Sequence, residues 1–159
     1  MTGTAFYAQG MGSQRDEITD LLFAYAERID AGDFDGVAEL FSDAEISFTG
    51  FDQVRRGPDQ VRAMYEASTR RYEDGTPKTK HVVTNVIVEV DEPAGAATAR
   101  SYFTVFQAVP GHLALQPVIA GRYHDSFTKS AGAWRFATRR MTVDLVGDLG
   151  SHMLFDLEA

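Results

Sequence analysis

The chain contains no cysteine among its 159 residues. Disulfide bridges, thiolate nucleophiles and cysteine-based zinc sites are therefore excluded. Positive charge is also scarce, with 15 Lys and Arg against 23 Asp and Glu and a formal net charge of −8. Such a field repels a phosphate backbone, and the doublet Arg70-Arg71 is flanked by Glu66, Glu73 and Asp74, so nucleic acid is disfavoured as a partner. No stretch approaches the roughly 18 consecutive apolar residues of a membrane-spanning helix, so no membrane partner is expected. The first residues lack the basic start and apolar run of a secretory signal, and a cytoplasmic location is expected. There is no phosphate-binding glycine loop, because Gly10-Met11-Gly12 has no strand before it. His112, His124 and His152 are scattered among loop, strand and tail without metal-site spacing, so neither a metal nor another cofactor is expected.

What is present suits one folded domain. Apolar residues make up 44% of the chain, enough for a single core at this length. No repeat, low-complexity tract or linker divides it. The reading is a flexible N-terminal arm over 1–12, one domain over 13–149 and a C-terminal tail over 150–159. Ser13 is an N-cap candidate with Asp16 three residues on, and Ile18, Leu21, Leu22, Tyr25, Ala26 and Ile29 then form one helical stripe ending before Gly32. Asp33 caps a short second helix, and Gly57-Pro58 opens a third.

The period then changes from helical to alternating. Strands are expected over 45–49, 80–90, 97–109, 114–127 and 134–146, joined by short turns at Pro110-Gly111 and Ser130 to Gly132. Short turns between long strands give antiparallel pairing. Helices gathered before hairpins indicate an α+β fold with a curved sheet of about five or six strands. Gly121, alone within a strand, marks a bulge or bend.

Three placements conflict with a plain core. Asp30 ends the first helix, where a carboxylate meets the negative end of the dipole; it is either a solvated helix end or a functional acid. Arg139 shares a strand face with Arg135, Ala137, Met141, Val143 and Leu145, opposite Trp134, Phe136 and Thr138; it either snorkels to water or meets a carboxylate. His81 shares a face with Val83, Asn85 and Ile87, as a satisfied core histidine or a base. Together they fit one chemistry: a carboxylate-oriented imidazole beside a guanidinium that balances developing negative charge. Tyr25 is placed to supply a phenolic proton, or is simply core.

The runs Tyr25-Ala26-Glu27-Arg28-Ile29-Asp30, Lys80-His81-Val82-Val83-Thr84-Asn85 and Gly121-Arg122-Tyr123-His124-Asp125, with Gly132-Ala133-Trp134-Arg135-Phe136 after them, resemble SnoaL-like proteins of the nuclear-transport-factor-two-like superfamily. The resemblance covers about Glu17 to Asp148. It implies a cone-shaped α+β barrel, in which a curved, mostly antiparallel sheet and three N-terminal helices enclose a deep pocket. Catalytic relatives such as scytalone dehydratase, the bile-acid dehydratases and hexachlorocyclohexane dehydrochlorinase pair an aspartate of the first helix with a strand histidine. Asp30 and His81 fall on the matching positions, and Arg139 resembles the final-strand arginine of the dehydrochlorinase.

The expected activity is that of a cofactor-independent lyase or isomerase, dehydratase-like, acting on a small apolar or polyketide- or steroid-like molecule. Asp30, His81 and Arg139 would be catalytic; Tyr25, Asn85, Met141 and Val143 would bind substrate. The alternatives are a noncatalytic small-ligand-binding protein, or an accessory subunit docking through an open face around Phe103 and Val105. A homo-oligomer, dimer or trimer, is expected.

Overall fold

The computed structural model describes residues 12–156. Most of the expected N-terminal arm, residues 1–11, and the end of the tail, residues 157–159, lie outside the described residues. Helix α1 spans Gln14–Asp30, starts with a reciprocal Ser13–Asp16 capping box and buries Ile18, Leu22, Tyr25, Ala26 and Ile29 of the expected stripe, with Leu21 half-buried at its margin. It stops at Ala31, after which Gly32 adopts φ 72°, the left-handed conformation that suits glycine. Helix α2, Phe34–Leu40, is capped by the Asp33 side chain, and α3, Gly57–Ser68, carries proline in its first turn.

Strands β1 (Glu45–Phe48), β2 (Val54–Arg56), β3 (Thr79–Asp91), β4 (Ala96–Val109), β5 (Leu113–Ser130) and β6 (Ala133–Val146) form one sheet in the order β2-β1-β6-β5-β4-β3. The pairing is antiparallel except between β1 and β6. The sheet is open at β2 and β3 rather than closed into a barrel, and helices cover one of its faces. The α+β class and the mostly antiparallel sheet with three N-terminal helices agree with the sequence reading.

Bulges revise the expected strand faces. Phe127 pairs with Phe136 but Ser126 pairs with Thr138, so Ala137 is the extra residue. Trp134 and Phe136 therefore lie on the same buried face as Arg139 and Met141, not opposite them. In β3 the register shifts between Thr84 and Ile87, and Asn85 takes φ 54°. This turns Asn85 and Ile87 outward, while Val86, Val88 and Val90 take over the inner face. Phe103 and Val105 are buried under the helices, so they form no open docking face.

The β6 bulge puts Asp125 opposite Arg139. Both side chains are fully buried, and the guanidinium donates to the two carboxylate oxygens from Nε at 2.8 Å and from a terminal nitrogen at 2.9 Å. The Tyr25, Tyr123, Phe41 and Phe136 rings stand 4.4, 4.0, 5.3 and 5.0 Å from its central carbon. Burial opposes the charge, but the charge and hydrogen bonds of Asp125, with smaller contributions from the Tyr123 and Tyr25 phenol groups, outweigh it and hold the Arg139 pKa above its usual value.

Two predictions follow from this packing. At Gly121 a Cβ would lie 2.0 Å from the Thr142 carbonyl oxygen and 2.8 Å from the Phe103 ring. Gly121→Ala is expected to cost about 1–3 kcal/mol in urea unfolding, the usual penalty of overpacking; an unchanged midpoint would show that the strands open freely there. Removing either partner of the buried pair, as Asp125→Leu or Arg139→Met, should cost about 3–5 kcal/mol. The double variant Asp125→Leu/Arg139→Met should cost clearly less than the two single losses combined, and strict additivity in a double-mutant cycle would refute the coupling.

Candidate active site

The last turn of α1 meets the start of β3 through a single carboxylate. One Asp30 oxygen accepts the Thr79 hydroxyl at 2.8 Å and stands 2.7 Å from Nδ1 of His81. The other accepts the backbone N–H of His81 at 2.8 Å. Three hydrogen bonds answer the electrostatic objection to an acid at a helix C-terminus. Burial raises the Asp30 pKa, but the bonds and charge of His81 and the bond from Thr79 outweigh it and leave the carboxyl below its ordinary value. Asp30 is therefore an anion at neutral pH and can only accept. The facing Nδ1 must carry the imidazole proton, which leaves Nε2 with a free lone pair. No hydrogen-bond partner meets Nε2 among the described residues.

The dyad is nearly enclosed, with side-chain exposures of 8% for Asp30 and 7% for His81. Beside it lies a shallow surface depression of about 480 Å³, bordered by Ala26, Glu27, Thr76 and Lys80. Inward, the Tyr25 ring meets the imidazole edge-on at 6.1 Å, and its other neighbours are Phe41, Tyr65 and Tyr123. The Tyr25 and Tyr65 hydroxyls share a hydrogen bond of 3.0 Å. Burial pushes the Tyr65 and Tyr123 phenols well above their usual pKa, so both are protonated at neutral pH.

Two of the three expected catalytic residues thus meet directly. Arg139 does not join them: its carboxylate partner is Asp125, and the Tyr25 ring lies between its guanidinium and the His81 imidazole. Among the expected substrate-binding residues, Tyr25 and Met141 are buried, Val143 is 40% exposed and Asn85 is turned out by its bulge.

The sequence reading gave no role to Thr79, Asp125 or His152. Thr79 carried a signal, sharing the strand face of His81 two residues earlier. Asp125 is the one carboxylate on the inner face of β5. His152 sits in a C-terminal segment whose path no periodicity announces; the segment packs back on the domain, with Ser151, His152 and Met153 held by Tyr72, Gln107 and Arg70.

A second depression, of about 430 Å³, lies on the outer sheet face among Arg100, His124, Ser126, Thr138 and Arg140. Its Arg100, His124 and Arg140 side chains are exposed to solvent and its buried Asp125 is already bonded to Arg139, whereas the dyad is buried with one ring nitrogen open, so the dyad is the stronger candidate.

The comparisons with known proteins agree with this fold. The chain is similar to the function-unknown protein Rv3472 from Mycobacterium tuberculosis, at 29% identity over 82% of this chain and 76% of that one, with a TM-score of 0.66. An NTF2-like protein with a cystatin-like fold from Novosphingobium aromaticivorans matches at 23% identity, over 86% and 85%, with a TM-score of 0.66. ActVI-ORFA from Streptomyces coelicolor matches at 19% identity, over 81% and 96%, with a TM-score of 0.66. No curated protein matches the chain. The SnoaL-like domain matches residues 12–140, most of the chain, and the protein belongs to that family.

Proposed function

We propose that this protein is a lyase or isomerase that uses an Asp30–His81 dyad to take a proton from carbon in a small, largely apolar, oxygen-bearing ring compound of polyketide or steroid type, without a cofactor. The observation that carries the reading is the hydrogen bond between Nδ1 of His81 and the Asp30 carboxylate, at the buried end of α1. It fixes the tautomer in which Nε2 is the basic atom, and it places a negative charge where the imidazolium forms. Thr79 and the His81 backbone hold the carboxylate against rotation. Arg139 belongs to the scaffold on this reading, since Asp125 already occupies its fork. Its contribution is to fix the Tyr25 and Tyr123 rings that wall the site.

A second reading is a noncatalytic small-ligand-binding protein of the same family, and one observation favours it. The space between the dyad and Arg139 is filled by the Tyr25 ring, whose hydroxyl shares a hydrogen bond with Tyr65, a polar pair that suits recognition of a polar group better than turnover. An accessory subunit, and a homo-oligomer built as dimer or trimer, remain further proposals.

The two main readings part over a probe ketone, 2-tetralone, whose hydrogens beside the carbonyl exchange in heavy water and are followed by proton NMR. A dyad that removes protons should accelerate that exchange. His81→Ala should abolish the acceleration, a loss of about 100-fold or more, as expected for one acid–base group. Asp30→Asn, which keeps the shape but not the charge, should lower it by about 10- to 100-fold. Binding of the ketone with no exchange by the wild-type protein would refute the dyad as a base and leave the binding reading.

A further inference from the structure

The proposed chemistry leaves a buried imidazole unused. His152 is 6% exposed, and its Nδ1 is buried without a hydrogen-bond partner among the described residues. Unpaired buried polar atoms are uncommon, and each calls for an explanation. The segment that carries this one is firmly held. The His152 carbonyl accepts the Arg70 N–H at 2.9 Å, the Leu154 N–H reaches the Ser68 carbonyl at 3.0 Å, and the Tyr72 hydroxyl donates to the Ser151 carbonyl at 2.6 Å.

The position of the segment follows from Gln107. Its buried side-chain amide donates to the carbonyls of Pro77, at 3.0 Å, and Ser151, at 2.9 Å. Gln107 stands opposite Thr79 in the β3–β4 ladder, and Thr79 is itself bonded to Asp30. The residue before His152 is thus tied to the strand end that holds the dyad. The Gln107 side-chain oxygen, like Nδ1 of His152, is buried and unpartnered among the described residues.

We propose that His152 is a ligand-binding residue of the Asp30–His81 site, whose imidazole donates a hydrogen bond to the oxygen of a neutral, ring-shaped ketone. The proposal rests on the reading above for its choice of ligand. A segment that merely packed on the domain would need only Leu149 and Met153, which join the core; a buried polar ring between them needs a partner. Burial, then the charge of His81, push the His152 pKa down to about 4, against the pull of Asp30. The remaining ionisable groups of the neighbouring elements, Arg70 and Tyr72, bond the backbone of the segment rather than the ring. A neutral imidazole with its proton on Nδ1 can bond an oxygen without surrendering that proton to it. In the reaction, Nε2 of His81 takes the proton from the carbon beside the carbonyl. The C–H pair becomes the new C=C bond, and the carbonyl π pair moves to the oxygen held by His152. Return of the proton to carbon closes the cycle with no other reactant.

The test compares 2-tetralone with tetralin, the same bicycle without the carbonyl, by calorimetric titration against wild type, His152→Phe and His152→Gln. The wild type is expected to bind the ketone about 10-fold more tightly, as one good hydrogen bond allows. His152→Phe should bring the two probes within about twofold of each other, while His152→Gln, which retains an amide donor, keeps most of the preference. In the wild type the ketone should also shift the His152 ring signals in imidazole NMR, a readout that does not depend on any variant folding. Equal affinity for the two probes, binding of neither, or a preference that survives in His152→Phe would overturn the proposal. A ketone preference without proton exchange would sink the proton-transfer reading alone, and exchange without preference would sink the role of His152 alone.

Discussion

A guanidinium with no access to water dictates much of this structure. Arg139 lies at the centre of the core, where an unpaired charge is untenable, so a carboxylate has to reach it from a neighbouring strand. Asp125 does so only because an extra residue at Ala137 shifts β6 by one place; without it, the register running back from the Ser130–Ala133 turn would put Thr138 opposite Asp125. The same shift turns Trp134 and Phe136 inward and completes the aromatic enclosure. Tyr25, drawn against the guanidinium, becomes the wall that separates the ion pair from His81. One buried charge thereby explains the bulge, the aromatic cage and the exclusion of Arg139 from the dyad.

The legible parts of the sequence were those written in local signals. Capping residues, the apolar stripe of α1 and the turn dipeptides located the three helices and five of the six strands within a residue or a few. The short β2 strand had no such signal, since Val54–Arg56 is too brief for alternation to be seen. Asp30 and His81 were found because each broke the pattern of its own element, and the family resemblance joined them. Bulges were the main source of error. A period-2 reading assumes an unbroken pleat, so one extra residue reverses every later assignment. That is why an unbroken pleat puts Asn85 inward beside His81 and Trp134 outward, and why it groups Arg139 with Asp30 and His81 rather than with Asp125. Gly121 announced its own bulge, because glycine is conspicuous in a strand; Ala137 and Asn85 did not.

The two carboxylates of the core solve the same problem with different remainders. Asp125 is matched fork to fork by a guanidinium, with both carboxylate oxygens bonded, while the second terminal nitrogen of Arg139 is buried without a hydrogen-bond partner among the described residues. Asp30 is matched by a hydroxyl, an amide and one side of an imidazole, and the other side of that ring stays open. The first arrangement is closed in by aromatic rings on the guanidinium; the second holds a proton-transfer group in one orientation while leaving one ring nitrogen open. The proposed chemistry belongs to the second for that reason.

This division also limits the ligand. The cage around Arg139 cannot yield space cheaply, because moving Tyr25 or Tyr123 would strip ring faces from a buried charge. On the proposed reading, room for a ring compound beside His81 comes from the side of the C-terminal segment, which Gln107 ties to the strand end carrying Thr79. That segment is tied down mostly by bonds to backbone carbonyls near the surface, which water can replace as they break. On the proposed reading, the fixed wall sets the orientation of the reacting carbon, and the segment that carries His152 sets which oxygenated molecules are admitted. Substrate differences among proteins sharing this dyad would then be sought in their C-terminal segments before their sheets.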